Sequence, residues 1–468
     1  MFSQLLLTVC ADHVAIDTLP DDVLLLIFHF NRVSSFDRLG LPWRWDRLVH
    51  VCRRWRSVVF ASPTFLDLKL VCGPWTRVEL WPPLPIVIMN KVTPESYELD
   101  AAIVHPNRVH EINLHSLTSS QLQRLAPAMQ EQFPALIHLF LDSDSDRISP
   151  APTLPDGFVG GSAPRLQSLE LRGIPFPALP KLLLSTTDLV RLTLWRIPHS
   201  GYASPEAIVT GLAALANLKS LTIEFQSPRS RPNRESRRPS APTRTSLHAL
   251  THFEFHGVSE YLEDLVARID APLLDSICIT FFHQLIFDIP QLARFMRRTM
   301  ARFQAINEPH VSFDDYGVRI ESLPPTQISG GESVLRISCG ELDWQLSSLS
   351  QVFPSFLPSI HTAEHLYIYE SRYLPSRQDD VESMQWLEIF WPFTALKNLY
   401  VSKKFVQYIV PPLQDLVEER VADVLPALEG LFLEGLQPSG PIQEAIGKFA
   451  SVRQLQGHPV VVSRWKRS

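Results

Sequence analysis

One short phrase, L-x-x-L-x-L, returns so often that it limits what this chain can fold into. It reads "RVHEINLHS" (108–116), "ALIHLFLDS" (135–143), "RLQSLELRG" (165–173), "DLVRLTLWR" (188–196), "NLKSLTIEF" (217–225), "ALTHFEFHG" (249–257), "LLDSICITF" (273–281), "AEHLYIYES" (363–371), "ALKNLYVSK" (395–403) and "ALEGLFLEG" (427–435). Counted between the middle apolar positions, the steps are 27, 30, 23, 29, 32 and 24 residues over the first seven copies, then 33 (Leu366 to Leu399) and 32 (Leu399 to Leu431) over the last three. The x-L-x-L core has the two-residue period of a β-strand, so its leucines share one face and the residues between them share the other. Units of this length predict a solenoid, in which each buries its apolar face only by stacking on the next. Parallel strands need return segments. "SPEAIVTGLAALA" (204–216), "SEYLEDLVARI" (259–269) and "PIQEAIGKFA" (441–450) read as helical ones. Between 281 and 362 the spacing lapses. A helix is expected over "QLARFMRRTMARFQ" (291–304), and strands over "HVSFDDYGVRIESL" and "SVLRISCGEL", as one or two degenerate repeats.

These spaced leucines resemble the leucine-rich repeat. That resemblance implies a parallel-strand horseshoe with helical and irregular returns. Two departures stand out: copy lengths vary, and the family's asparagine after the strand is missing. The other reading is a non-repetitive α/β domain rich in leucine.

The first 70 residues have a different period. In "IDTLPDDVLLLIFHF" (16–30), Pro20 suits the start of a helix, and Asp21 and Asp22 favour the positive end of its dipole. The run from Val23 to Phe28 is apolar on every side, so that helix must bury more than one face. "LVHVCRRWRSVVFASPTF" (48–65) predicts a second helix over 46–60, with Leu48, Val51, Cys52, Trp55 and Val59 in one stripe. Arg47, Arg53, Arg54 and Arg56 fall largely off the stripe, and Ser62-Pro63 closes the helix. Two such helices carry more apolar area than they can hide from each other. They dock on the rest of the chain, or they hold another protein.

"LPDDVLLLIF" followed by "LVHVCRRWRSVV" resembles an F-box, and the "FLDLKLVCGPWTRVELWPPLPIVI" that follows resembles fungal F-box proteins. The resemblance covers about residues 16–66. It implies docking on the Skp-type adaptor of a cullin–RING ubiquitin ligase, with Leu19, Pro20, Val23, Ile27 and Phe28 in contact. Leu48, Val51, Cys52 and Trp55 would complete that surface or the unit's small core. The connection "NRVSSFDRLGLPWRW" (31–45) is longer than the family's usual one.

Composition narrows the remaining classes. A net charge of −6 and a pI of about 6.2 give no basic excess for nucleic acid. The five cysteines, Cys10, Cys52, Cys72, Cys278 and Cys339, are too scattered for a disulfide framework or a zinc site and suit a reducing, cytoplasmic or nuclear setting. The start, "MFSQLLLTVCADHVA", has no basic residue before its apolar patch and does not read as a signal peptide. The longest apolar run elsewhere, "VLLLIF", falls well short of the roughly 20 residues a membrane helix needs. No GxSxG elbow, HExxH, phosphate loop or GxGxxG occurs. "DSDSD" (142–146) starts like a calcium loop, but Arg147 and Thr153 occupy the positions that need glycine and glutamate. No cofactor or metal is expected. "SPRSRPNRESRRPSAPTRTS" (227–246) cannot bury apolar surface and is expected to be a disordered excursion.

The fold class expected is therefore a small N-terminal helical F-box unit followed by a leucine-rich-repeat-like solenoid. Its divisions are an extension (1–15), the helical unit (16–70), a connection with a first strand (71–105) and the repeat domain (106–468). Outward strand positions are the candidate target-binding residues: His115, Phe140, Glu170, Arg172, Trp195, Glu224, His256, Tyr367, Tyr369, Tyr400, Phe432 and Glu434. Large aromatics on an open sheet face anchor partners, but they are also good strand formers. The function expected is a non-catalytic one, holding a protein target for the ligase. Two alternatives stay open: a ligase-independent repeat scaffold whose N-terminal helices are only a cap, and an enzyme whose site is not local in sequence.

Overall fold

The computed structural model describes residues 16–34, 45–72, 78–90, 105–143, 152–229, 244–299, 308–321, 333–339, 341–356, 360–370, 383–419, 424–436 and 440–466. The 1–15 extension, most of the 31–45 connection, most of the acidic 142–146 run and residues 230–243 lie outside them.

Alternating leucines produce alternating burial. The strands are β1 (Leu70–Cys72), β2 (Ile86–Asn90), β3 (Val109–Leu117), β4 (His138–Ser143), β5 (Ser168–Arg172), β6 (Arg191–Ile197) and β7 (Ser220–Phe225). They continue as β8 (Thr245–Ser246), β9 (His252–Gly257), β10 (Ile269–Asp270), β11 (Ser276–Phe282), β12 (His310–Asp314), β13 (Gly317–Glu321) and β14 (Ser333–Ser338). Last come β15 (His365–Glu370), β16 (Asn398–Val401), β17 (Gly430–Glu434) and β18 (Val461–Trp465). Sixteen of them form one sheet, and all ten repeated phrases fall on its strands; β8 and β10 make a separate parallel pair. From β3 to β11 the sheet strands pair in parallel, in step apart from register shifts near the ends of β3 and β6. Leu114, Leu141, Leu171, Leu194, Ile223, Phe255 and Ile279 form one inward row, and all are buried. Each such side chain contributes roughly 1.5–3 kcal/mol of apolar transfer.

The missing asparagine has a structural counterpart. The ninth residue of four phrases, Ser116, Gly173, Arg196 and Gly435, has positive φ. At Gly173 and Gly435 the chain leaves the strand by a left-handed turn; at Ser116 and Arg196 the same conformation makes a bulge inside β3 and β6, after which pairing resumes. Only Gly adopts it without cost.

Return segments cover the inward face. Among the described residues they include the helices α4 (Ser119–Ala128), α5 (Leu179–Leu183), α6 (Pro205–Leu212), α7 (Ser259–Val266), α8 (Pro290–Thr299), α9 (Leu342–Phe356), α10 (Ser383–Phe390), α11 (Lys403–Glu419) and α12 (Pro441–Leu455). Local chemistry starts several of them. Thr118 and Gln121 form a capping box on α4, and Ser204 caps α6 ahead of Pro205. Their apolar sides pack on the strand rows, as where Phe313 of β12 meets Trp386 and Phe405.

The irregular middle is not a pair of degenerate repeats. The spatial order there is β11–β14–β13–β12–β15, with β13 antiparallel to both neighbours. The chain passes over two strand positions, lays down β12, turns at Asp314–Gly317, and returns through β13 to place β14 beside β11. Gly317 is required at the turn because a Cβ there would sit 2.1 Å from the Ile337 carbonyl oxygen.

The N-terminal unit contains α1 (Asp21–Ser34), α2 (Asp46–Val49) and α3 (Arg53–Ala61). The single helix expected over 46–60 is thus two, broken at 50–52. The break follows from Cys52, which is extended and whose Sγ accepts from the Trp55 backbone N–H as the N-cap of α3. The unit is bonded to the solenoid through aromatic rings. Trp45 donates its indole N–H to Lys69 O at 2.7 Å, and Trp81 meets both Trp45 and Phe60 edge-on.

Candidate interaction surfaces

The first surface is the outer side of α1. Leu24 and Phe28, one turn apart, point into the unit; Phe28 is 1% exposed. The other side carries Val23, Leu26, Ile27 and Phe30 at helical spacing. Val23 is half-buried, but Leu26 is 60% and Phe30 74% exposed. Val51, in the break before α3, is 59% exposed. An apolar ridge of this length on a helix is uncommon on a protein surface unless something covers it.

The residues named from sequence divide between this ridge and its support. Val23, Ile27 and Val51 lie outside. Leu19 and Leu48 are half-buried against the core, and Pro20 is exposed at the start of α1. Phe28 is interior, with its ring 4.8 Å from that of Trp55. Cys52 is a cap, not part of an apolar stripe. Arg54 reaches back to α1, donating to Leu19 O and pairing with Asp21 at 2.6 Å. The "CRRW" residues thus fasten α1 to α3 and set the angle at which the ridge is presented. Sequence periodicity missed Leu26 and Phe30 as the most exposed members; the all-round apolar run was the signal that could have found them.

The second surface is the sheet face that the returns leave open. From β3 to β11 its side chains bind one another. Arg172 is ion-paired with Glu170 at 2.6 Å, and its guanidinium lies 5.1 Å from the Phe140 ring and 4.2 Å from the Trp195 ring. His115 stacks obliquely on Phe140, and Arg196 pairs with Asp142 at 3.0 Å. Burial and the neighbouring Glu254 push the Glu224 carboxyl above its ordinary value, against Arg196 and Arg172. Burial, with Arg336 nearby, lowers the His256 imidazole. That lowering favours the neutral ring in its 3.9 Å approach to Glu224. Three buried polar atoms on this arc, Asn113 Oδ1, Trp195 Nε1 and His256 Nε2, have no hydrogen-bond partner among the described residues. Buried groups left in that way cost about 1–3 kcal/mol each until a partner arrives.

Across β12 and β15–β17 the open face is aromatic, while β13 beside them carries the Arg319–Glu321 pair. His310, Tyr367, Tyr400 and Phe432 are cross-strand neighbours in one row. Their ring centroids are 4.3, 4.3 and 4.6 Å apart, with interplanar angles of 1, 8 and 13°. Trp465 of β18 tilts over this stack, 5.7 Å from Tyr400 and 6.1 Å from Tyr367. Burial, then Glu308, then Tyr400 push the Tyr367 phenol up to about 12. Glu434 accepts from the Lys403 backbone N–H. Tyr369 is the exception among the outward positions. It is 5% exposed, with its ring set edge-on to His310, so a partner cannot reach it.

A small apolar pocket beneath β5–β7 is lined by Leu171, Phe176, Leu194, Ile223, Phe225 and Tyr261. The Tyr261 hydroxyl in it is spent on Ala203 O. Among the described residues no His/Cys/Asp/Glu group could hold a metal ion, and no helix is long and apolar enough to cross a membrane.

No family model matches this chain, and no curated protein does. Among solved structures it is similar to the leucine-rich repeat-containing protein LegL7 from Legionella pneumophila. The identity is 14% and the TM-score 0.28, covering 80% of this chain and 98% of that one. The leucine-rich-repeat-like architecture rests on the strand order and pairing themselves.

Proposed function

We propose that this chain is the substrate-recognition subunit of a Skp–cullin–F-box ubiquitin ligase. In this reading α1 docks on the Skp-type adaptor, through it on cullin, and the open sheet face holds a protein target. The chain performs no bond chemistry. It raises the concentration of the target near the ubiquitin-transfer machinery. The observation that carries the reading is the uncovered ridge of Val23, Leu26, Ile27 and Phe30 on a helix whose other side is fixed by Trp55 and Arg54. An amphipathic helix in that state is built for a groove on a second protein. Neither nucleic acid nor a membrane is a partner in this reading, and the setting is cytoplasmic or nuclear.

The test is co-purification of the full chain with a Skp-type adaptor. Leu26→Asp with Phe30→Asp alters only exposed side chains, so circular dichroism and the melting temperature should hold while capture falls at least about tenfold. A second reading, a ligase-independent scaffold capped by its own helices, draws on the Trp45–Trp81 junction that joins the unit to β1. An intact chain that captures no adaptor would favour it.

A further inference from the structure

We propose that the rim of the sheet at the reversed segment holds a basic amphipathic helix of the target. The inference deepens the target-holding role proposed above and rests on it. Three segments come side by side at this rim. The loop after β11 carries Leu285 and Ile286, the first turn of α9 carries Trp344, and the β12–β13 turn carries Tyr316. All four side chains are exposed, Leu285 at 87%. Specific bonds hold them in place. Gln351 of α9 donates to Leu285 O and accepts from the Phe287 N–H, and Trp344 stacks on His283 at 5.1 Å and 9°. Gln345, beside Trp344, donates to Asp314 O and Cys339 O, and the Tyr316 carbonyl accepts from the Cys339 N–H. Segments pinned to one helix by its amide side chains present their apolar groups as a fixed patch.

Spacing and charge name the occupant. Strands β11, β14, β13 and β12 are neighbours in that order, so Tyr316 stands two to three strand spacings from Leu285, roughly 10–14 Å. Apolar anchors over two turns of a helix span about 11 Å, and a helix laid across the rim meets Ile286, Trp344 and Tyr316 in turn. Each apolar group has a carboxylate close by in the chain. Asp288 follows Leu285 and Ile286, Glu341 and Asp343 precede Trp344, and Asp315 adjoins Tyr316. Asp314 is not counted, because Arg336 pairs with it at 3.4 Å. Burial raises the Cys339 thiol, and the charges of Asp343 and Glu341 act in the same direction, so both carboxylates bear on the rim where β14 ends. An acidic border round an apolar strip suits lysine or arginine on the flanks of the incoming helix.

The probe is a fluorescein-labelled peptide of leucine and lysine, about 18 residues or five turns long, with its leucines in one helical stripe. Two controls keep its length: the same residues scrambled, and glutamate in place of lysine. Binding to the full chain is read by fluorescence anisotropy at about 150 mM salt, where exposed charges are screened beyond about 8 Å. The striped lysine peptide should bind at least about tenfold tighter than either control. Leu285→Asp with Ile286→Asp alters only exposed side chains, so circular dichroism should hold while that preference is lost. Asp288→Asn with Asp343→Asn keeps the oxygen that accepts the Trp344 N–H and should weaken the lysine peptide about three- to tenfold. Leu26→Asp with Phe30→Asp, on α1, should leave peptide binding unchanged. Equal binding of striped and scrambled peptides would overturn the inference, as would a preference that survives Leu285→Asp with Ile286→Asp or one that the α1 variant removes. Flotation with neutral phosphatidylcholine vesicles that Leu285→Asp with Ile286→Asp abolishes would assign the rim to a lipid surface and overturn it as well. Adaptor capture is measured on the same preparation. No peptide preference with capture intact rejects the rim alone, and a preference without capture rejects the ligase reading alone.

Discussion

Strands β3–β11 and strands β15–β17 expose the same side of one sheet in one continuous alternation, yet they dispose of their outward side chains differently. The first arc mixes charge with rings, and several of its groups satisfy one another: Arg172 with Glu170, Phe140 and Trp195, and Arg196 with Asp142. The second stacks ring on ring from His310 to Phe432. Position in a pleat decides only that a residue points outward. What it can bind is decided by its neighbours one strand away, about 4.8 Å off. The two arcs meet at the reversed β14–β13–β12 segment, which acts as a seam.

Breaking the seam should have the largest effect. Gly317→Val forces a side chain against the Ile337 carbonyl and should cost about 3 kcal/mol. Since solenoid units are coupled mainly to their neighbours, urea unfolding followed by fluorescence should split into two transitions, one for each arc. A single cooperative transition in this variant would show that the arcs are joined elsewhere. Next is the stack. Tyr400→Ala removes a ring with a stacked neighbour on each side and should lower stability by about 2 kcal/mol, against about 1 kcal/mol for Arg172→Ala in the first arc. Gly430→Ala is a gentler probe. Its Cβ would lie 2.5 Å from Asn398 Oδ1 and 2.7 Å from the Phe432 ring, displacing that ring at a cost of about 1 kcal/mol. The smallest effect belongs to Glu224. Its carboxyl is raised in the folded state, so its favourable contribution exists at low pH and is lost as pH rises from the ordinary value of 4.5 through the folded one. Glu224→Gln should therefore raise the melting temperature at pH 7, by an amount equivalent to about 0.5 kcal/mol, and lose that advantage near pH 4. His256 works the other way: burial lowers its imidazole and favours the neutral ring, so stability falls as pH drops below 6.5.

The strands were legible because a two-residue period survives in each phrase, and α1 because Pro20, Asp21 and Asp22 mark its start. The break before α3 was not, since a cysteine in an apolar stripe and a cysteine acting as a cap look alike until the backbone is seen. "HVSFDDYGVRIESL" was expected only as strand, and no local signal says that β14, and not β12, will lie beside β11. Outward alternation named Arg172, Trp195, Tyr400 and Phe432 correctly as outward residues. It could not show that Arg172 is already held by rings, or that Tyr369 is covered, because both depend on neighbours 20 or more residues away. On α1 the pattern gave an apolar helix without saying which side would stay uncovered. That depended on Trp55 and Arg54 choosing the side of Phe28.

The reversed segment also sets an order of events during translation. A solenoid with every strand in sequence can lengthen at its growing end as each unit leaves the ribosome. Here β11 emerges and then waits, its edge groups unpaired, while β12 and β13 are made. Only β14 can join that edge, and the sheet cannot be continued to β15 until the hairpin has folded back. Nascent chains halted just after β13 should therefore be the ones most exposed to edge-to-edge pairing with a neighbouring copy, and those halted after β14 much less so.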